Sequence, residues 1–370
     1  MCEDKNMRLT LVISSLRSGG AEKIMTILAN YWAKKSWNIT LLTLDSKPSF
    51  YYLDERVKHI PLAIASDSKN IFTAIISNLK RVRVLKTAIA CSKPDVVISF
   101  LSTINILTII ATRGLKVPVI VEEHIYPDMA PLGRFWELLR QWTYPRADKV
   151  VALTNRALAC FSPKIQARGY VLPNPVLPIA LSDQSLQNQW VKKPALIAMG
   201  RLDEQKGFDL LLQAFCKLKD DYPEWTLTIL GEGKLRSQLE DLRDLIGLKE
   251  RVHLIGVVEN PHDFFKQADI FVMSSRFEGF PNAICEAMAC GLPVISMDCP
   301  SGPREIIREG IDGILVPNGD VLALAQAMRD LMTDETLRKH LAQNALDITG
   351  RFDLETIMGK WDGLLQEVIK

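Results

Sequence analysis

Short apolar runs rich in β-branched residues alternate with longer amphipathic stretches along the whole chain. In the first half the runs cover residues 9–14, 39–44, 96–99, 119–122, 149–152 and 170–172, and helix-length segments separate most of them. Parallel strands need helical crossovers of this length, so the pattern predicts a doubly wound parallel α/β sheet.

The same pattern stops and then starts again. Prolines at 173, 175 and 178 and the polar run at 182–190 predict a linker. Six further runs predict a second parallel sheet, at 195–199, 226–230, 252–255, 270–273, 294–296 and 313–316. Helices are predicted at 207–218, 234–245, 282–289, 320–332, 334–348 and 354–369. We therefore expect two Rossmann-like domains, 1–175 and 176–350, then a terminal helix at 351–370. Ligands would bind at the carboxyl ends of the strands, facing each other across a cleft.

Composition fits two globular cores, since 48% of the 370 residues are hydrophobic and 24% are charged. The most apolar stretch, 96–112, is interrupted by polar residues and predicts a buried strand followed by a buried helix instead of a membrane span. The first five residues are polar and acidic, unlike a signal peptide. Seven cysteines without a C-x-x-C pair indicate reduced thiols and a cytoplasmic protein.

The small net charge of +2 hides an asymmetry between the two halves. Residues 1–175 contain 24 Lys and Arg against 13 Asp and Glu, whereas residues 176–370 contain 21 against 30. This suggests that only the first half meets an anionic surface. Nucleic acid is a poor partner, because no reading motif is present and the second half would be repelled.

In each predicted sheet, a glycine-containing turn follows the first strand. Gly19 and Gly20 open the first long helix, where backbone N–H groups can approach a phosphate closely, although a plain tight turn fits equally. In the second half, a turn after residue 199 carries Arg201 and Lys206, whose donors suit a diphosphate. The alternative there is a solvated loop in which Lys206 pairs with Asp203.

Two further segments contain candidate chemistry. Glu278 and Glu286 are eight residues apart, and the loop between them can present N–H groups to an anion at the start of a helix; this segment contains Gly279, Phe280, Pro281 and Asn282. A solvated helix face is the alternative, disfavoured by apolar neighbours. His124 follows an apolar strand and is the best placed of five histidines, unless it is a structurally hydrogen-bonded core residue.

Basic and aromatic residues cluster in two predicted helices of the first half. Lys80, Arg81 and Arg83 lie in one, and the segment 134–142 combines Arg with Phe and Trp. Both suit an anionic bilayer surface, and an ordinary solvated helix explains them nearly as well.

Taken together, Gly19-Gly20, Glu123-His124, Gly200-Arg201 with Lys206-Gly207, and the glutamates 278 and 286 resemble the retaining glycosyltransferase family 4, which has the GT-B fold. The resemblance extends over 301–307, 312–316 and the Trp361 helix. Within the family the chain is similar to amylovoran-type transferases and to N-acetylgalactosamine transferases of bacterial N-glycan assembly.

The resemblance implies a role for each matching residue. An N-terminal acceptor domain and a C-terminal domain for a donor, expected to be a UDP-sugar, would form the enzyme. Arg201 and Lys206 would neutralise the donor diphosphate, helped by the backbone of Gly19 and Gly20. Glu286 would hold the ribose hydroxyls, Glu278 would contact the donor sugar, and the backbone near Val258 would contact the base. His124 would lie by the C6 side of the donor sugar. The acceptor's polyprenyl pyrophosphate would be bound by Lys80, Arg81 and Arg83.

The expected reaction transfers a hexose or N-acetylhexosamine with retention, without metal or other cofactor, because the sequence has no Asp-x-Asp pair to hold Mg²⁺. A lipid-linked glycan acceptor places the enzyme on the inner face of the cell membrane. The alternatives are a UDP-sugar epimerase of the same fold and a non-catalytic nucleotide-sugar-binding subunit.

Overall fold

The computed structural model describes residues 6–65, 71–129, 132–178 and 190–370. The chain divides into two compact units, one formed by Met1–Asn174 with Glu355–Lys370 and the other by Pro175–Leu354. Residues 1–5 and 182–189 lie outside the described part, so the expectations about a leader and the polar linker run stay expectations.

The first unit is built on a seven-stranded sheet in the order β3-β2-β1-β4-β5-β6-β7. Every neighbouring pair is parallel. The strands are β1 (Arg8–Ile13), β2 (Asn38–Thr43), β3 (Lys58–Pro61), β4 (Val96–Phe100), β5 (Val119–Glu123), β6 (Lys149–Ala152) and β7 (Gly169–Val171). The strand order reverses between β1 and β4, which is where sheets of this class bind ligands, at the carboxyl ends.

Among the described residues of this unit, six α-helices connect these strands and cover the sheet. They are α1 (Gly20–Lys34), α2 (Ile71–Ser92), α3 (Ser102–Thr112), α4 (Arg134–Thr143), α5 (Asn155–Ala159) and α6 (Pro163–Gln166). Nine of the eleven residues of α3 are buried, as expected for a helix that is apolar on most faces. The core beside it joins Val97 and Val121 of the sheet to Leu85 and Ile89 of α2.

The second unit repeats the arrangement with a six-stranded parallel sheet in the order β10-β9-β8-β11-β12-β13. The strands are β8 (Ala195–Met199), β9 (Thr226–Leu230), β10 (Val252–Gly256), β11 (Ile270–Met273), β12 (Val294–Asp298) and β13 (Gly313–Pro317). The helices are α7 (Phe208–Cys216), α8 (Arg236–Leu245), α9 (Pro261–Phe265), α10 (Asn282–Ala289), α11 (Pro303–Ile306), α12 (Val321–Thr333), α13 (Glu335–Ala345) and α14 (Ile348–Arg351). Its order reverses between β8 and β11.

The last helix, α15 (Leu354–Ile369), packs on α1 of the first unit. Trp361 contacts the buried Trp32 edge to face, with ring centroids 6.0 Å apart. The indole N–H of Trp32 donates to Asp362 over 3.0 Å, and Lys35 pairs with the same carboxylate at 2.6 Å. Aromatic packing and a shared acid therefore fasten the C-terminal helix to residues more than 300 positions earlier.

The predicted fold class, two Rossmann-like parallel-sheet domains, is confirmed. The predicted strands match the observed ones to within two residues at each end, and residues 96–112 form β4 followed by α3. β3 is missing from the prediction, because Lys58-His59-Ile60-Pro61 has no apolar run and occupies the sheet edge. Of the helices described, none combines the length and hydrophobicity needed to cross a bilayer.

Candidate active site

The loops after β8 and β11 lie side by side where the second sheet reverses its strand order. β8 and β11 are neighbouring parallel strands, and one leads into a 3₁₀ turn at Glu204–Lys206 while the other leads towards Glu278. Open α/β sheets bind ligands at this edge. The structure thus brings the predicted residues Arg201, Lys206 and Glu278 to one place.

Lys206 and Glu278 form a buried ion pair. Lys206 Nζ lies 2.5 Å from Glu278 Oε1, and the two side chains are only 17% and 6% exposed. The alternative in which the Lys206 side chain pairs with Asp203 is wrong. Asp203 instead accepts the backbone N–H of Lys206 over 3.3 Å and pairs with Arg201 Nε at 3.3 Å. Lys206 is therefore directed at the position expected to contact a donor sugar.

Close backbone packing fixes the turn that carries Lys206. Gly207 has φ +61°, and a Cβ there would lie 2.2 Å from the carbonyl oxygen of Ser274. The Ser274 hydroxyl donates to the Lys206 carbonyl over 3.0 Å. A two-pronged ion pair between Arg276 and Asp209, at 2.9 and 2.7 Å, fastens the same loop to α7. Glycine is required at 207, because any side chain would separate the two loops.

Gln205 joins Arg201 to the loop that contains Glu278, and the sequence interpretation missed it. Its Oε1 accepts from Arg201 Nη2 over 3.1 Å, and its Nε2 donates to the Phe277 carbonyl over 3.0 Å. Arg201 itself remains 63% exposed. The guanidinium is therefore held by a side-chain amide while its outer face is open to a ligand.

Gly231 is a second residue that sequence reasoning missed. It has φ +141°, and a Cβ at this position would lie 1.9 Å from the Gly200 carbonyl oxygen. Its N–H donates to Gly256 over 2.7 Å. The Gly-x-Gly of 231–233 at a strand end was the available signal.

The segment between the two glutamates forms the start of α10. Phe280 is buried and contacts Phe352 edge to face at 5.5 Å. The Ser301 hydroxyl donates to the Gly279 carbonyl over 3.1 Å, and a Cβ on Gly302 would lie 2.5 Å from Pro281. The loop before Asn282, the first residue of α10, is therefore rigidly packed.

Glu286 lies inside α10 with a side chain that is 15% exposed, so the solvated-face alternative does not describe it. His262 Nε2 of α9 lies 3.8 Å from Glu286 Oε2. The sequence interpretation missed this histidine. Val258 is half-buried two residues beyond β10, on the chain that leads to His262.

In the first unit, Gly19 and Gly20 form the strand-to-helix turn as predicted. Gly20 is the first residue of α1, and Gly19 before it has an extended backbone. The hydroxyl of Tyr51 lies 3.2 Å from both the N–H and the carbonyl oxygen of Gly19. This contact was not predicted, and it means that the Gly19 N–H already has a partner in the folded chain.

Glu122 and His124 form a buried pair at the carboxyl end of β5. Glu122 Oε1 lies 3.3 Å from His124 Nε2, and the side chains are 2% and 6% exposed. Burial raises the pKa of Glu122 well above its ordinary value and lowers the pKa of His124 to about 3. Burial therefore disfavours the charged form of both groups in this contact. The Phe100 ring is 4.4 Å from the imidazole.

Glu123 points into a separate hydrogen-bond network. Its carboxylate accepts from the hydroxyls of Tyr144 and of Ser102, the latter over 2.7 Å. Burial raises the pKa of Glu123, and these donors together with Arg140 oppose the rise. Asn105 Nδ2 donates to the Glu122 carbonyl over 2.8 Å. Glu123 therefore serves the framework that holds the strand end.

The three cations predicted on α2 are not equivalent. Lys80 and Arg83 are exposed, whereas Arg81 is half-buried and donates to the Ile64 carbonyl over 3.2 Å and to Asn78 over 2.9 Å. Arg81 thus stabilises the helix position, and the exposed charge comes from its two neighbours.

The described ranges contain no group of three or more His, Cys, Asp or Glu arranged to hold a metal ion.

Comparison with known proteins matches a glycosyltransferase family model to each half of the chain. Residues 18–177 match the family description Glycosyltransferase Family 4, and residues 183–347 match Glycosyl transferases group 1. A Campylobacter jejuni GalNAc-α-(1→4)-GalNAc-α-(1→3)-diNAcBac-PP-undecaprenol α-1,4-N-acetyl-D-galactosaminyltransferase is 32% identical over 367 residues, which are 98% of this chain and 99% of the relative.

Two other proteins extend the comparison. The amylovoran biosynthesis glycosyltransferase AmsD of Erwinia amylovora is 25% identical over 96% of this chain and 99% of its own. The crystal structure of Anabaena Alr3699/HepE with UDP and glucose superposes with a TM-score of 0.81 at 20% identity, over 97% of this chain and 99% of that one. At this identity the superposition shows the fold alone.

Proposed function

Because this chain belongs to glycosyltransferase family 4, we propose that it transfers a hexose or N-acetylhexosamine from a UDP-sugar to a glycan linked to polyprenyl pyrophosphate, with retention and without a metal ion. The matches that show the chain to be a glycosyltransferase extend over nearly its full length. The named acceptor of the Campylobacter relative and the UDP bound to the Anabaena protein support the finer assignment.

The observation that carries the proposal is the grouping of Arg201, Lys206 and Glu278 at the strand-order reversal of the second sheet. Cleavage of the anomeric bond releases a nucleoside diphosphate anion, so stabilisation of that anion is the main electrostatic requirement. A guanidinium and an ammonium at one sheet edge supply positive charge there. They can do so without a divalent cation.

Each reacting group then has an assigned place. The anomeric C–O bond to the diphosphate breaks while the acceptor hydroxyl oxygen bonds to the same face of the anomeric carbon, and its proton passes to the departing phosphate oxygen. Glu278 binds the donor sugar and Glu286 the ribose hydroxyls. The N–H groups at the start of α10 and the backbone near Val258 contact the phosphate and the base. The roles of Gly19, Gly20 and His124 toward the donor stay predictions from the family resemblance.

Lys206 and Glu278 must separate, at least in part, when the donor arrives. Their 2.5 Å contact satisfies both buried charges in the free protein. A phosphate oxygen replaces Glu278 as the acceptor for Lys206, and a sugar hydroxyl replaces Lys206 as the donor to Glu278. The exchange leaves Lys206 paired with an anion and gives Glu278 a hydrogen-bond donor, so neither buried group is left without a partner.

An apolar stripe on α4 supports attachment to the inner face of the cell membrane. Phe135, Leu138 and Trp142 lie at helical spacing on one face and are 60%, 71% and 43% exposed. Guanidinium carbons of Arg113 and Arg146 lie 5.2 and 4.3 Å from the Trp142 ring centroid. Large apolar side chains bordered by arginines fit the boundary between headgroups and acyl chains. Lys80 and Arg83 add exposed positive charge for the acceptor pyrophosphate.

We expect the double variant Phe135→Ser/Leu138→Ser to bind anionic vesicles about 10- to 100-fold more weakly than the wild type, because each exposed side chain contributes about 1 kcal/mol or more when it enters the bilayer interface. Sedimentation with phosphatidylglycerol vesicles measures this. Leu245→Ser, an 84% exposed position on α8, is the matched control. Equal binding by the double variant would contradict the assignment of α4.

The proposed reaction is tested with purified protein, a panel of UDP- and GDP-sugars and native lipid extract. Mass spectrometry of the lipid fraction should show a mass gain of one sugar, or of several in series, with one UDP-sugar only. Conversion of a UDP-sugar to an isomer without the lipid would instead identify an epimerase. Transfer from GDP-sugars alone would contradict the assigned donor.

A further inference from the structure

The segment that follows β2, residues 45–52, lies against the turn between β1 and α1. We call it the aromatic loop. Three hydrogen bonds fix it there: Asp45 N–H to Ser14 O over 3.1 Å, Phe50 N–H to Leu16 O over 2.8 Å, and the Tyr51 hydroxyl to Gly19 over 3.2 Å. Asn30 Nδ2 also donates to the Tyr52 carbonyl over 2.9 Å. The loop is therefore held at both ends, at Asp45 and at residues 50–52.

Two aromatic rings project from this fixed backbone into solvent. Phe50 is 39% exposed and Tyr52 is 74% exposed. Tyr51 between them meets the Phe50 ring edge to face, with centroids 5.1 Å apart. Exposed aromatic side chains on an ordered loop make little contribution to the core. They mark a surface suited to an apolar or amphipathic ligand.

Asp45 adds an acceptor to the same surface. Both of its carboxylate oxygens are buried, and neither accepts a hydrogen bond within the described ranges. Arg17 Nε lies 3.5 Å from Asp45 Oδ2, and the Arg17 side chain is 58% exposed. A buried carboxylate that accepts no hydrogen bond is costly even beside a guanidinium. Hydroxyl groups of a ligand, admitted as the exposed Arg17 side chain moves, would supply hydrogen-bond donors.

We infer that the aromatic loop, with Asp45 and Arg17, is a binding subsite for a pyranose ring of the acceptor glycan. The apolar C–H face of the sugar packs on Tyr52 and Phe50, its hydroxyls donate to Asp45, and Arg17 donates to its oxygens. The choice of the acceptor as ligand rests on the proposed function. The loop follows β2, so it lies at the carboxyl edge of the first sheet, the same edge at which His124 follows β5.

A bilayer is a poorer partner for this surface than a sugar. The loop presents two aromatic rings beside the Arg17–Asp45 pair, whereas the α4 stripe presents three large apolar side chains beside two arginines. Carbohydrate sites combine the features found here, an aromatic face and a few polar groups that fix orientation.

The test measures binding of soluble methyl α-glycosides, as mono- and disaccharides of hexose and N-acetylhexosamine, by saturation-transfer NMR on the full chain. We expect Tyr52→Ala and Phe50→Ala each to weaken the best-bound glycoside about five- to tenfold, and Asp45→Asn to weaken it as well. Tyr52→Phe keeps the ring and should retain most of the affinity. UDP binding and vesicle binding should not change in any of these variants, and Leu245→Ala serves as the surface control.

Three outcomes overturn the inference: no glycoside binds the wild type at millimolar concentration, the Ala variants bind glycosides like the wild type, or they lose vesicle binding in place of glycoside binding. The proposed function fails separately, if the wild type transfers no sugar from any UDP donor to lipid extract. Because glycoside binding is measured without donor, either result stands without the other.

Discussion

Lys206→Ala should lower kcat about 10²- to 10³-fold, which is the usual effect of deleting one preorganised group that stabilises developing charge. The ammonium lies at the strand-order reversal beside Arg201, where the departing diphosphate gains negative charge. EDTA should leave wild-type kcat unchanged, because the proposed leaving-group stabilisation uses side chains alone. Steady-state kinetics with the donor identified from the panel measures both effects.

A second variant separates catalysis from folding. Removal of Lys206 leaves the carboxylate of Glu278, 6% exposed, without its cation, and breaking a buried pair in this way costs about 3–5 kcal/mol of stability. Lys206→Ala/Glu278→Gln should recover the thermal stability and keep the low kcat. Lys234 is an exposed lysine whose Nζ lies 3.6 Å from the exposed Glu204, and Lys234→Ala should behave like the wild type. A kcat of Lys206→Ala within fivefold of the wild type, or strong inhibition of the wild type by EDTA, would contradict the mechanism.

The ion pair also explains why a charged turn is ordered before any ligand arrives. Lys206 and Gly207 pack on the loop after β11 through one side-chain contact and one backbone contact that excludes a Cβ. Arg201 is bridged to the same loop by Gln205. Groups held in this way cost little reorganisation when charge develops in the transition state, which is what electrostatic catalysis requires.

Strand positions were predictable because a parallel strand buried on both faces is an apolar run whatever its neighbours are. Val96–Phe100 and Ala195–Met199 show this directly. β3 lacks that signal, since an edge strand of four residues with Lys58 and Pro61 at its ends reads as loop. Helix ends were less certain, and α13 ends at Ala345, three residues before the predicted end.

Pairings between side chains were less predictable than their positions. Lys206 and Glu278 are 72 residues apart, and the sequence offered Asp203 as a nearer partner. Lys206 and Glu278 come together because β8 and β11 are neighbouring strands, which is a property of the strand order. The contacts of Gln205 with Phe277 and of Tyr51 with Gly19 were not predicted either, because each joins two separate loops.

The histidine at the end of β5 contacts a buried glutamate, which the sequence interpretation did not predict. His124 was predicted as a functional residue, with a structural hydrogen bond as the alternative, and the structure places its Nε2 next to Glu122. Burial beside Phe100 raises the pKa of Glu122 and lowers the pKa of His124 to about 3, so the charged form of each group is disfavoured. The contact of His124 with the donor stays a prediction from the family resemblance, and the imidazole would make that contact uncharged.

Glu122→Gln should stabilise the protein increasingly as the pH rises. Burial raises the folded-state pKa of Glu122, so its contribution to stability is complete below the ordinary carboxyl pKa and is lost as the pH rises through the folded-state pKa. Between the ordinary carboxyl pKa and the folded-state pKa, the free energy of unfolding of the wild type should fall by about 1.4 kcal/mol per pH unit relative to the variant, whose amide does not titrate, and above the folded-state pKa the difference should level off. Denaturant unfolding between pH 5 and pH 9 measures the difference, with the exposed Glu55→Gln as the control. Parallel stability curves for Glu122→Gln and the wild type would show that the folded-state pKa of Glu122 is not raised, and the effect assigned to burial would then be wrong.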